Sequence, residues 1–187
     1  MNTFVTSDLH FGHTNIMKFC PDTRARFNND VDYMTEAMIE EWNHKVKDGD
    51  LVYILGDVAF CSAEKARKIM DRLNGRKILV QGNHDSKLVK DPGFCAKFEE
   101  IHVYHEINHN GVKVCMFHYP ISEWNQMHRG AVHLYGHLHG GESGLEKYRA
   151  MDVGMDATGE TVSRLDAIIT RALAKEIKTH HGKLENA

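Results

Sequence analysis

Apolar residues fall along this chain in short unbroken runs separated by longer stretches of helical periodicity. Thr3–Ser7 (TFVTS), Leu51–Leu55 (LVYIL) and Lys77–Val80 (KILV) are rich in β-branched and aliphatic residues, the pattern of strands covered on both faces. Between the first two, Val31, Met34, Met38, Trp42 and Val46 share one face of a helix expected over Asp30–Lys47, opened by Asn29 or Asp30 and closed by Gly49. Ala66, Ile69, Met70 and Leu73 do the same for a helix over Ser62–Leu73, stopped at Gly75. The β-α-β-α-β order predicts a largely parallel sheet. Thr14–Phe19 begins a short helix that Pro21 breaks, and Pro21–Asn29 reads as a loop.

The second half is more irregular. Ser86–Phe98 is weakly helical and interrupted by Pro92-Gly93. Glu100–Ile107 alternates as one strand, Asn110-Gly111 forms a hairpin tip, and Val112–Phe117 is the return strand. Val132–Tyr135 is a further strand and Ala150–Val153 the last. Ser163-Arg164-Leu165-Asp166 resembles a capping box for a helix reaching about Ile177, and the polar tail Lys178–Ala187, with His180-His181, is expected to fray.

At 187 residues the chain is expected to form one domain around a sizeable core. Its net charge of −3 offers no footprint for tight nucleic-acid or membrane-surface binding, and no apolar run reaches the length of a membrane span. The four cysteines lack C-x-x-C pairing, which favours free thiols in a reducing compartment, so a cytoplasmic protein is expected.

What changes the picture is where the polar residues fall. Asp8 and His10, Asp57, Asn83 and His84, His118, and His137 and His139 each follow directly on an apolar run, several beside a glycine. Alone, Asp8-x-His10 could be a capped turn, Gly82-Asn83 a hairpin turn and His118 a core histidine. Together they bring carboxylates, an amide and imidazoles to strand ends, where open α/β sheets bind ligands. That set suits Mn, Fe, Ni, Co or Zn, and seven ligands suit two ions roughly 3.5–4 Å apart that share a carboxylate. Arg24 and Arg26, on the loop nearby, suggest an anion clamp.

Asp8-x-His10, Gly56-Asp57, Gly82-Asn83-His84-Asp85, His118 and Gly136-His137-x-His139, in that order, resemble the calcineurin-like metallophosphoesterase superfamily over about residues 4–154. Ser7-Asp8-Leu9-His10-Phe11-Gly12-His13-x-Asn15 looks like its small single-domain prokaryotic and phage branch. The resemblance implies an α/β fold, a four-layer α/β/β/α sandwich of two mixed sheets flanked by helices. It implies Asp8, His10 and His139 on one metal, Asn83, His118 and His137 on a second, and Asp57 bridging. His84 would be the acid near the leaving group, helped by Asp85 or another carboxylate; His13 has no metal role in that motif and is expected, with Arg24 and Arg26 of the loop, to contact substrate. The expected activity is hydrolysis of small phosphodiesters of nucleotide or cyclic-nucleotide type by hydroxide supplied at two divalent ions, manganese favoured. A phosphomonoesterase or nuclease of the superfamily, or a non-catalytic scaffold, stands as the alternative. Val58-Ala59-Phe60 after Asp57, in place of Asp-Arg-Gly, argues against a protein phosphatase. The partner expected is a small phosphorylated substrate, with no stable nucleic-acid complex and no membrane.

Overall fold

The computed structural model describes residues 1–179; the expected tail lies outside the described residues from 180 onward. Its strands are β1 (Thr3–Thr6), β2 (Leu51–Ile54), β3 (Arg76–Val80), β4 (Glu100–His102), β5 (Tyr104–His109), β6 (Val112–Phe117), β7 (Val132–Tyr135), β8 (Ala150–Asp152) and β9 (Ser163–Arg164). Its helices are α1 (Ile16–Phe19), α2 (Pro21–Arg24), α3 (Val31–Lys45), α4 (Ala63–Met70), α5 (Pro92–Cys95), α6 (Met155–Thr158) and α7 (Leu165–Leu173). One sheet has the order β4-β3-β2-β1-β9 and is parallel except for β9; the other has the order β5-β6-β7-β8 and is parallel except for the β5–β6 hairpin.

The unbroken apolar runs are explained by both faces of each strand being buried. Val5, Tyr53, Ile78 and Val80 point inward to meet Val114, Met116, Val132 and Leu134 of the second sheet. Their neighbours Phe4, Val52, Ile54 and Leu79 point outward under Met34, Met38 and Trp42 of α3 and Ile69 and Met70 of α4. Trp124, Met127 and Leu145 cover the far face of the second sheet, so this fourth layer is a 3-10 turn (Met127–Arg129) and loops rather than a long helix. The fold is therefore an α/β sandwich of two mixed sheets flanked by helices and loops. Among the described residues, no helix is long and apolar enough to cross a membrane.

Four boundaries depart from expectation. Glu100–Ile107 is two strands in different sheets: the chain leaves β3's edge at Val103 and joins β6. Pro21 opens α2 instead of a loop, because a proline at the first helical position gives up an N–H that has no acceptor there. Val46, not Gly49, ends α3 by turning extended and burying its side chain. Ser163 pairs with Val5 on β1's open edge, so no capping box forms, and α7 stops at Leu173 because Glu176 bridges to Tyr148.

His133, on the outer face of β7, is sealed beneath Trp124. Its Nδ1 faces the Cys115 carbonyl and its Nε2 accepts from the Ile121 amide, an arrangement that requires the neutral ring. Burial depresses its pKa from 6.5 to about 4. Below pH 6.5 the unfolded chain takes up a proton that the folded one refuses until about pH 4. This histidine's contribution is thus complete above pH 6.5 and lost as pH falls to 4, about 3 kcal/mol in all. Urea unfolding from pH 7 to 4 should show a correspondingly shallower decline in His133→Gln. Parallel declines would mean the ring is not held neutral.

Candidate metal centre

Beyond their last ladder bonds, β1 and β2 continue side by side as two loops. The amides of Asp8, His10 and Phe11 donate to the carbonyls of Gly56, Asp57 and Val58 at 3.0–3.1 Å, and the Phe60 amide donates back to Phe11 at 2.8 Å. The backbone is strained where the candidate ligands sit. Of nine non-glycine residues with positive φ among the described residues, five are Asp8, His10, Asp57, His137 and His139. Asp and His tolerate this region better than bulkier residues, and such strain collects at functional sites. Glycines allow the loops to close in: a Cβ on Gly82 would lie 2.3 Å from Asp57 Oδ1, and one on Gly136 2.0 Å from Ser7 Oγ.

Two tight ligand groups result, Asp8–His10–His139 and Asp8–Asp57–His118. Asp57 reaches both sides, with Oδ2 3.6 Å from His10 Nε2 and Oδ1 3.6 Å from His118 Nε2. His118 Nδ1 must donate to the Leu55 carbonyl at 2.7 Å, so the Nε2 of a neutral ring presents its lone pair to Asn83 Oδ1, 2.9 Å away. His139 Nδ1 lies 2.8 Å from Asp156 Oδ2, which leaves Nε2 facing Asp8 Oδ1 at 4.0 Å. His137 donates its amide to Asp8 Oδ2 at 2.9 Å, and its ring lies edge-on to His118 at 5.2 Å, outside the two tight groups.

The electrostatics match a cation-binding cluster. Asp8 Oδ1 and His10 Nε2 are the buried side-chain polar atoms that lack a hydrogen-bond partner among the described residues. Burial raises the Asp8 carboxyl from 3.8 to about 6, and burial followed by the neighbouring His139 and Arg24 depresses His10 from 6.5 to about 2. A carboxylate short of positive charge and an imidazole held neutral are the forms in which these side chains bind metals. Burial pulls His139 downward, but Asp156 and Asp8 outweigh it and raise its pKa.

Three expectations are corrected. Asp85 does not assist His84: its sealed carboxylate accepts from the amides of Asp57, Val58 and Gly82 at 2.8–2.9 Å and so fixes the loops themselves. Arg24 is no anion clamp, being 0% exposed, with Nε and Nη2 on Asp156 at 2.8 Å and Nη1 and Nη2 on the Leu9 and Asp8 carbonyls. Arg26 points to solvent and pairs with Glu41. His84 sits at the mouth, 46% exposed, Nε2 3.9 Å from Asp57 Oδ2, its amide held by Asp57 Oδ1. His13 lies 3.2 Å from His10, ring nitrogen to ring nitrogen, and stacks on Phe60.

Sequence reasoning missed Asp156 and Phe60. Asp156 was detectable, since Val153-Gly154-Met155-Asp156 repeats the pattern of strand, glycine and ligand-type residue after β8.

The protein MJ1445 of Methanocaldococcus jannaschii, described as uncharacterized, is 31% identical over 175 residues, 89% of this chain and 88% of that protein. The gene 66 protein of Mycobacterium phage L5 is 27% identical over 195 residues, 87% of this chain and 90% of its own. Among solved structures, AQ665 from Aquifex aeolicus, a protein of unknown function, superposes with a TM-score of 0.71 over 91% of this chain and 98% of that one, at 24% identity. A Pseudomonas putida nuclease MPE and an archaeal phosphodiesterase overlap 73% and 74% of this chain, with TM-scores of 0.46 and 0.41 and identities of 16% and 21%. No protein-family model matches. The chain belongs to the family of the archaeal protein MJ1445.

Proposed function

We propose that the protein is a phosphodiesterase that works with two divalent metal ions on small diesters of nucleotide type. The observation that carries this reading is the pair of buried, unpartnered atoms, Asp8 Oδ1 and His10 Nε2, in a cluster of lone pairs whose neighbouring cation, Arg24, is committed to Asp156 and to backbone carbonyls. Leaving such atoms without a partner in a folded interior costs roughly 1–3 kcal/mol each, a cost that a bound cation removes. Asp8, His10 and His139 would hold one ion, Asn83, His118 and His137 the other, and Asp57 would be shared between them. When bound, two such ions lower the pKa of water and offset the charge that grows on the phosphoryl oxygens.

The chain's own residues do the rest. Asp156 and the Leu55 carbonyl fix the tautomers of His139 and His118, so both offer Nε2. His84 is exposed enough to meet substrate, and Asp57 Oδ1 holds its backbone in place. From there its ring would donate a proton to the departing oxygen. A diester has two substituents, and troughs of about 360 and 260 Å³ lie on either side of the turn at Asn83 and Ser86. A monoester would need only one.

The test is metal analysis paired with hydrolysis of bis-p-nitrophenyl phosphate. Two ions per chain, loss of activity in chelator and recovery with Mn²⁺ are expected. His84→Ala should keep both ions and slow turnover on the order of 10²–10⁴-fold. Activity that persists in exhaustively metal-stripped protein would overturn the reading.

A further inference from the structure

The larger trough lies between Ala59, Phe60 and Cys61 on one wall and Ser86, Lys87 and Leu88 on the other, and His84 lines it. We propose that this trough is the subsite for the leaving half of the diester, and that it takes a flat aromatic ring carrying an anionic group, the chemistry of a nucleotide. The proposal deepens the phosphodiesterase reading and rests on it.

Three observations carry it. First, Phe60 is a fixed aromatic wall. Its amide is bonded to Phe11 and its neighbour Ala59 bridges to Phe11, so the side chain stands on rigid backbone. His13 stacks on the ring at 4.1 Å and 12°, His10 stacks at 5.2 Å and His84 packs against it at 4.5 Å, so three imidazoles hold the ring and its remaining exposed part lines the trough. Phe60 as a whole is 38% exposed, and Phe19, 71% exposed, extends the aromatic rim beyond His13. An exposed aromatic side chain offers a flat ring a stacking partner.

Second, the trough adjoins the proton donor. His84 packs against Phe60 at 4.5 Å between centroids, so a group lying on Phe60 has its ester oxygen near His84. Third, Lys87 lines the same trough, is exposed, and has no ion-pair partner among the described residues. Other exposed basic residues nearby, Lys65 and Lys68, are paired with Asp32 and Glu64. Lys87 is thus available to an anion on the departing fragment.

Calorimetry on the metal-loaded protein tests this with ribose 5-phosphate, AMP and adenosine 3′,5′-bisphosphate. Ribose 5-phosphate and AMP share one phosphate for the ions, so their affinity ratio reports the base. AMP should bind about tenfold tighter or more, and Phe60→Leu should bring the ratio to about one while leaving ribose 5-phosphate unchanged. The bisphosphate should gain a further threefold to fivefold over AMP, a gain lost in Lys87→Ala and at high salt. A ratio near one in the unaltered protein, or one that survives Phe60→Leu, overturns the ring site; a bisphosphate gain that is absent, or that survives Lys87→Ala, overturns the anion site. Nucleotide binding of this pattern without hydrolysis of any diester would sink the phosphodiesterase reading instead, and hydrolysis without the pattern would sink only the subsite.

Discussion

An Asp57→Asn variant should lose metal at both positions and hydrolyse bis-p-nitrophenyl phosphate on the order of 10³–10⁵-fold more slowly. Asp57 places one carboxylate oxygen 3.6 Å from a ring nitrogen of His10 and the other 3.6 Å from one of His118, so it reaches into both halves of the cluster. Asparagine keeps the shape but turns one oxygen into an N–H donor aimed at a lone pair. Asp8 belongs to both tight groups and is the rival for the bridging role. Each carboxylate also accepts one amide, Asp8 Oδ2 that of His137 and Asp57 Oδ1 that of His84, so hydrogen bonding does not separate them and only Asp57 faces a ring nitrogen with each of its two oxygens within 3.6 Å. Metal content separates the two: if Asp57→Asn keeps one full equivalent and Asp8→Asn keeps none, Asp8 is the bridge. Far-ultraviolet circular dichroism should be unchanged, because the loop around Asp57 is fixed by its amides to Asp85 rather than by its side chain alone.

Most of the fold was legible because burial on both faces leaves a coarse signature. Leu51–Ile54 carries apolar residues at every position, and Val132–Tyr135 at every position but the sealed His133. The hairpin at Asn110-Gly111 could be read for a local reason: both residues take positive φ, which Asn and Gly do at low cost. The failures come where one sequence pattern serves two tertiary outcomes. The alternation through Glu100–Ile107 fits one long strand or two short ones, and only the separation of the sheets breaks it at Val103. Ser163 has capping chemistry, yet the open edge of β1 claims its backbone.

The candidate centre was legible for a different reason. Its residues must follow strands and lie beside glycines, because ligands converge only where strand ends do and where backbones can approach to within a Cβ's radius. The residues that orient the ligands were not legible in this way. Asp85 follows Asn83 and His84 in the chain and carries the same chemistry, but it turns inward to three amides, a difference the sequence does not encode locally. Phe60 looked like any loop phenylalanine, since its value depends on His13 and His84 being brought to it.

The two arginines make the sharpest case, because the sequence presented them alike. Arg24→Met should cost about 3–5 kcal/mol of stability in metal-stripped protein, whereas Arg26→Ala should cost under about 1 kcal/mol. Arg26 and Glu41 form an exposed pair, where water and salt screen most of the attraction. Arg24 is sealed, and its loss strands the buried Asp156 carboxylate together with the Asp8 and Leu9 carbonyls that the guanidinium now satisfies. Although burial pushes the Asp156 carboxyl upward, its bonds to His139 and Arg24 hold it well below the usual carboxylate range. Without Arg24 that balance tips, and the loops of Asp8 and His139 loosen together. Urea unfolding would register the stability loss, and metal titration a weaker ion on the Asp8–His10–His139 side. An anion clamp would behave in the opposite way, with KM for the phosphodiester raised and stability untouched. If Arg24→Met and Arg26→Ala unfold at the same urea concentration, the buried pair is not what holds these loops in place.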